Sequence, residues 1–177
     1  MKLTTLFLLA ISALIIISCG TRIKGEGDVT EQRHDLPEFT EIQIGGVYEV
    51  VLTSGSNNPG ITVVTNENIH DHIEIKVDHG ELHIGSRDKY FDADELRLEI
   101  ETDYIEEIDV SGAVDVEAFD LDTEEAEVSV TGAGEVDVRV EKSLDVSITG
   151  AGEVNYIGSP EVSESITGAG EIKQVKR

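Results

Sequence analysis

Tryptophan is absent from this chain of 177 residues, aromatic side chains make up 5%, there is one cysteine, and 13 Lys and Arg stand against 37 Asp and Glu. Each shortage closes something off. With Cys19 alone, no disulfide can form within the chain. A net charge of −24 argues against nucleic acid as a partner and against adsorption of the molecule as a whole on an anionic membrane surface. No Gly-x-Ser-x-Gly, phosphate-binding loop or dinucleotide fingerprint occurs. With so few aromatics, the core must come from Val and Ile, whose branched side chains suit stacked β-structure. The acids are interleaved with these apolar residues, so they read as a solvated face rather than a disordered tail.

The one long apolar run lies at the start. Met1-Lys2 precedes an apolar stretch from Leu6 to Ile17, too short for a stop-transfer helix but suited to a secretory signal. It ends in Ile16-Ile17-Ser18-Cys19, which resembles a bacterial lipobox. That resemblance implies a signal peptide over 1–18, cleavage before Cys19, and a lipid on Cys19; Gly20 in place of Asp leans toward the outer membrane. Two or more acyl chains make such anchoring stable. Loss of Lys2 with the signal would take the charge to −25. Residues 19–27 are polar and Gly-rich and read as a tether, and 28–177 as one domain.

What is abundant is repetition. Val130-Thr131-Gly132-Ala133-Gly134-Glu135-Val136 recurs 18 residues later as Ile148-Thr149-Gly150-Ala151-Gly152-Glu153-Val154, and again as Ile166-Thr167-Gly168-Ala169-Gly170-Glu171-Ile172. A degenerate copy, Val110-Ser111-Gly112-Ala113-Val114-Asp115-Val116, precedes the first by 20. A period near 20 is the mark of a solenoid, whose repeats bury their apolar faces on one another. Parity separates two faces: Val128, Val130, Val136, Val138 and Val140 point in, while Ser129, Thr131, Ala133, Glu135, Asp137 and Arg139 point out. The glycines are expected at a bend or bulge. Glu164, at the inward position of Val128 and Val146, is costly unless that end is open to water, and reads as part of a terminal cap with Lys173 to Arg177.

Before the repeats, strands are expected around Val47–Leu52, Ile61–Thr65 and Leu96–Ile100. Ile75, Val77, Leu82 and Ile84 flank His79-Gly80, which predicts a hairpin pairing 78 with 81 and 76 with 83. Asn66 to His72 is the one candidate helical turn, and 87–95 reads as a charged loop.

Taken together, the Gly-Ala-Gly-Glu repeats resemble the Gly-Ser-Gly-Asp repeats of the autotransporter-adhesin head domain family, the head GIN domain. Tyr156-Ile157-Gly158-Ser159-Pro160 resembles that family's Tyr-x-Gly-x-Pro turn. In the N-terminal half, Phe39-x-x-Ile42-x-Ile44-x-Gly46, Val50-x-Leu52, Asn66-Glu67-Asn68-Ile69 and Gly80-Glu81-Leu82-x-Ile84 are similar too. The resemblance implies an all-β fold, a single-stranded parallel β-helix, right-handed and pectin-lyase-like, in a secreted or lipid-anchored protein. It implies a non-enzymatic, adhesion-like role. This chain departs from it in having Ala for the middle Ser and Glu for Asp.

Two outward columns are candidates for binding. Glu135, Glu153 and Glu171 would stack about 4.8 Å apart. Unit charges so placed repel by about 1 kcal/mol in water and roughly 3–4 kcal/mol at an effective dielectric of 20. Splayed side chains can relieve this, and so can Ca²⁺, with Asp137 and Asn155 adding oxygens. Thr131, Thr149 and Thr167 form a second column that offers hydroxyls to a glycan, or simply fills the strands. The histidines at 34, 70, 72, 79 and 83 match no zinc spacing. A hexapeptide acyltransferase would need a histidine in the coils, which have none. A polysaccharide lyase would need carboxylates beside a base such as Arg139 or Lys142, with pocket-forming loops. No cofactor is expected. The sequence therefore favours a lipid-anchored envelope protein that binds another envelope protein or a glycan. A polysaccharide-active enzyme or its remnant, and a structural protein without ligand, are the alternatives.

Overall fold

The computed structural model describes residues 21–54, 58–86 and 89–176. The chain is all-β. The strands are β1 (Thr21–Lys24), β2 (Val29–Asp35), β3 (Glu41–Thr53), β4 (Gly60–Asn66), β5 (Glu74–Asp78), β6 (Glu81–Gly85) and β7 (Lys89–Asp92). They continue with β8 (Leu96–Glu101), β9 (Glu107–Gly132), β10 (Glu135–Gly150), β11 (Glu153–Ile157), β12 (Glu161–Gly168) and β13 (Glu171–Gln174). Eleven form one sheet, and β1 and β7 make a separate parallel ribbon. The only helical turn among the described residues is a 3-10 turn at His70–His72.

The 18-residue period is a register. β10 pairs in parallel with β11 and β12, setting Val136 on Val154, Ile148 on Ile166 and Thr149 on Thr167; β11 continues to β13 with Val154 on Ile172. The degenerate copy stacks under the first full one, Val136 on Val116 and Glu135 on Asp115. Its two extra residues are absorbed by irregular pairing between Val138 and Ser143. There Arg139 Nε donates to the Phe119 carbonyl, and Thr123, buried, donates its hydroxyl to the carbonyl of Ile105. The inward residues read from parity are the core: Val128, Val130, Val136, Val138, Val140, Val146, Ile148 and Val154 are each at most 4% exposed. Each such side chain contributes about 1.5–3 kcal/mol of burial.

A further rung lies far off in sequence. β3 pairs in parallel with β9 through Ile44–Val110, Gly46–Gly112, Val47–Ala113, Tyr48–Val114 and Glu49–Asp115. Ile44-Gly45-Gly46-Val47-Tyr48-Glu49-Val50 is thus another copy of the repeat. Gly45-Gly46 does not interrupt the strand; β3 runs through it. The result is a column of glycines at 46, 112, 132, 150 and 168, all with φ between 113° and 138°. A Cβ on Gly112, Gly132, Gly150 or Gly168 would lie 2.2 or 2.3 Å from the carbonyl oxygen of the glycine below. Only glycine permits both the dihedral and the approach.

The parallel order of the β-helix expected for 28–177 does not run through the N-terminal part, and the departure is wider than the predicted hairpin. β4 is antiparallel to β2 and to β8, and β8, parallel to β3, lies between β4 and β3. β5 and β6 form the predicted hairpin, with Asp78 on Glu81 and Lys76 on His83; His79 and Gly80 have φ of 53° and 90°. The described part of the tether is not free chain either. Thr21–Lys24 pairs with Lys89–Asp92, inside the segment read as a charged loop. Short strands rich in charge carry no apolar alternation, so composition hid both. Cys19 lies outside the described residues.

The C-terminal end is open. Among the described residues β12 pairs only with β10; Ile166 is 39% exposed, and Glu164, in register with Val146, is exposed to solvent. Lys173 and Gln174 belong to β13 rather than to a trailing cap.

Candidate functional site

The repeats set three outward columns side by side. Thr131, Thr149 and Thr167 stand in register and exposed. Next come the alanines at 133, 151 and 169, each donating its amide to the glycine carbonyl one repeat back, at 2.9, 2.8 and 2.7 Å. Below them, in the first rungs, the same position is held by Ala113 and by Val47, which is 61% exposed. The third column is acidic and longer than the three glutamates found in sequence: Glu49, Asp115, Glu135, Glu153 and Glu171 follow one another in register. The added members were legible only as the acid that ends each degenerate copy. Strand periodicity fixes all three columns, since each position recurs once per repeat.

Neighbouring side chains moderate the acidic column. Two residues on, Glu117, Asp137, Asn155 and Lys173 form a parallel line. Asn155, 8% exposed, donates through Nδ2 to Glu135 Oε1 at 2.8 Å and to Asp137 Oδ1 at 3.0 Å. Lys173 Nζ lies 3.1 Å from both Glu153 Oε1 and Glu171 Oε2. The ammonium therefore lies between the two glutamates. Among the described residues no group of three or more His, Cys, Asp or Glu is arranged to hold a metal ion. Partial desolvation holds the Glu135 carboxyl above its ordinary range; the charges of Asp137, Glu153 and Asp115 add to this, and the Asn155 hydrogen bond opposes it.

Elsewhere the candidates disperse. His70 is buried with Nε2 3.0 Å from Thr30 Oγ1, and His83 faces Gln43 at 3.1 Å. Lys142 Nζ is paired with Glu124 at 2.6 Å. An open groove of about 460 Å³ runs over Tyr104, Glu106, Glu125, Glu127, Asp145 and Glu161, and among the described residues no Lys, Arg or His lines it. It gathers acids without a base.

The fold and its columns define an all-β repeat protein that displays a regular polar face. A family model described as "Putative auto-transporter adhesin, head GIN domain" matches residues 38–117 and 107–160. The chain belongs to that family. The comparison with curated proteins finds no match. Among solved structures, a "putative adhesin" of Parabacteroides merdae is 15% identical with a TM-score of 0.46, over 88% of this chain and 100% of that one. A "putative lipid binding protein" of Parabacteroides distasonis is 17% identical at a TM-score of 0.45, over 88% and 100%. A "putative cell adhesion protein" of Clostridium sporogenes is 14% identical at 0.48, over 84% and 100%.

Proposed function

We propose that this chain is a lipid-anchored protein of the cell envelope, held at the outer membrane through Cys19. Its parallel β-helix, right-handed and pectin-lyase-like, binds an envelope protein or a glycan through its repeated face and performs no catalysis. The observation that carries this reading is the in-register display of Thr131, Thr149 and Thr167 beside the acidic column. A surface that repeats every coil suits a partner that repeats too, such as a polysaccharide or another sheet. Shallow, uniform and acidic, it lacks the convergent acid, base and cleft that glycoside or lyase chemistry needs. The family's description supports an adhesion-like role, and the lipobox ending at Cys19 supports the anchor.

A glycan array tests the binding and a reducing-end assay tests the chemistry. Retention on one glycan class, weakened when Thr131, Thr149 and Thr167 are all changed to Ala, is expected without release of reducing ends. Turnover of any polymer would overturn the non-enzymatic reading.

A further inference from the structure

The N-terminal segment is fastened to the body by a dense set of bonds. Gly25 N donates to the Asp92 carbonyl at 2.8 Å, and Asn68 Nδ2 donates to the Lys24 carbonyl at 2.9 Å. Glu26 N donates to Asn68 Oδ1 at 2.7 Å. Asn66, fully buried, donates to the Gly27 carbonyl and to Asp94 Oδ2, and accepts from Asp94 N. A Cβ at Gly25 would fall 2.2 Å from Asn66 Oδ1, so the segment passes this clip only as glycine. The chain is thus fixed to the body from Thr21 onward.

That fixes a distance. Cys19 and Thr21 are two residues apart, at most about 7 Å of extended chain. The headgroup layer on one side of a bilayer is about 5–8 Å deep. A lipid on Cys19 therefore leaves almost no slack between the membrane and the β1–β7 ribbon. In the ribbon's register Arg22 lies on Tyr90 and Lys24 on Asp92, and all four are exposed; Ile23 and Phe91, one residue along, are half-buried. Tyr90, 65% exposed, is the most exposed of the large apolar side chains described. Arg22 is paired with Asp92 at 2.8 Å, so the outer face carries two cations, one acid and an aromatic ring in a molecule of net charge −24. A tyrosine flanked by long cationic side chains is the composition of a bilayer interface, while the acidic remainder is repelled by anionic headgroups.

We infer that the outer face of the β1–β7 ribbon, with Arg22, Lys24 and Tyr90, rests in the headgroup layer of an anionic bilayer and fixes how the lipid-anchored molecule stands on it. The open C-terminal coil then points away from the membrane. This inference rests on the lipid at Cys19.

Because the chain has no tryptophan, one introduced indole reports alone. The lipidated protein is placed in phosphatidylethanolamine and phosphatidylglycerol vesicles whose acyl chains are brominated, carrying Tyr90→Trp or, as control, Ile166→Trp. Ile166 lies on β12, at least four strands along the sheet from β8, about 19 Å away. Flotation reads the anchor and quenching reads the contact. Floating protein with emission at 90 cut by roughly half, emission at 166 hardly changed, and the difference lost on adding Arg22→Glu and Lys24→Glu supports the inference. Floating protein with equal quenching at both positions overturns the orientation and leaves the anchor standing. Protein that does not float, and matches Cys19→Ala in this, overturns the anchor and the orientation with it. An indole at 90 shielded without lipid, increasingly with protein concentration, would assign the face to a second copy and overturn it too.

Discussion

Gly132→Ala isolates what the glycine column does. Gly132 has φ of 126°, a region where an L side chain is strained by about 1–3 kcal/mol. The new Cβ would also lie 2.2 Å from the Gly112 carbonyl oxygen, the same oxygen that accepts the Ala133 amide at 2.9 Å. Relief requires the two strands to part locally, which weakens that bond and its neighbours by about 1 kcal/mol each. A loss of about 3–5 kcal/mol follows, against a typical domain stability of about 5–15 kcal/mol. Gly80→Ala is the control: φ is 90°, and nothing lies within 4 Å of the added methyl, so only the dihedral cost of about 1–2 kcal/mol remains. Gly168→Ala meets the Gly150 oxygen at 2.2 Å, but β12 pairs with β10 alone and can move, so an intermediate value is expected. Urea unfolding followed by circular dichroism measures all three. If Gly132→Ala and Gly80→Ala agree within about 0.5 kcal/mol, the close approach between strands is not a constraint and the stacking account fails.

Four other outcomes are expected. Asn155→Asp places a third carboxylate within about 3 Å of Glu135 and Asp137 and should cost about 2–4 kcal/mol at pH 7 and much less at pH 4, by urea unfolding at both pH values. The Glu135 carboxyl is held above its ordinary range, so the folded state binds that proton more tightly than the unfolded chain; its contribution grows as pH falls through the raised value and is lost as pH rises. Glu135→Gln, which keeps the acceptor for Asn155, should therefore be more stable than the parent at pH 7 and show a flatter pH dependence; equal stability at pH 7 would contradict the repulsion described. Glu164→Val removes a charge in register with Val146 at the exposed end, and sedimentation should then show more self-association than in the parent; equal sedimentation would refute a blocking role for Glu164. Cys19→Ala should move the protein from the membrane to the soluble fraction, and retention on membranes would refute the lipobox reading.

Much of the repeat region was legible because its regularity is redundant. Val128 to Ile148 state the inward face twice, and the 18-residue period gives the register that sets Glu135 on Glu153 and Thr131 on Thr149. The His79-Gly80 hairpin was equally clear, since loop length fixes both register and face. Harder to read were partners distant in sequence. Gly46 meets Gly112 across 66 positions, and the 44–50 copy keeps only the glycine, the acid and the flanking apolar residues. The β1–β7 ribbon was hidden for another reason: Thr-Arg-Ile-Lys and Lys-Tyr-Phe-Asp are short and show no apolar alternation. At the candidate face, the stacked glutamates could be foreseen, but not their neutralisation. Lys173 reads as a tail residue until β13 places it beside Glu153 and Glu171.

Identical exposed side chains standing in register is the premise of the proposed face, and electron spin resonance tests it directly. Spin labels are placed on Thr131→Cys and Thr167→Cys together, in the Cys19→Ala background. They should sit two inter-strand steps apart, about 10 Å, and show strong dipolar broadening that neither single label shows. A double-label spectrum equal to the sum of the two singles would place the repeats elsewhere and remove the face.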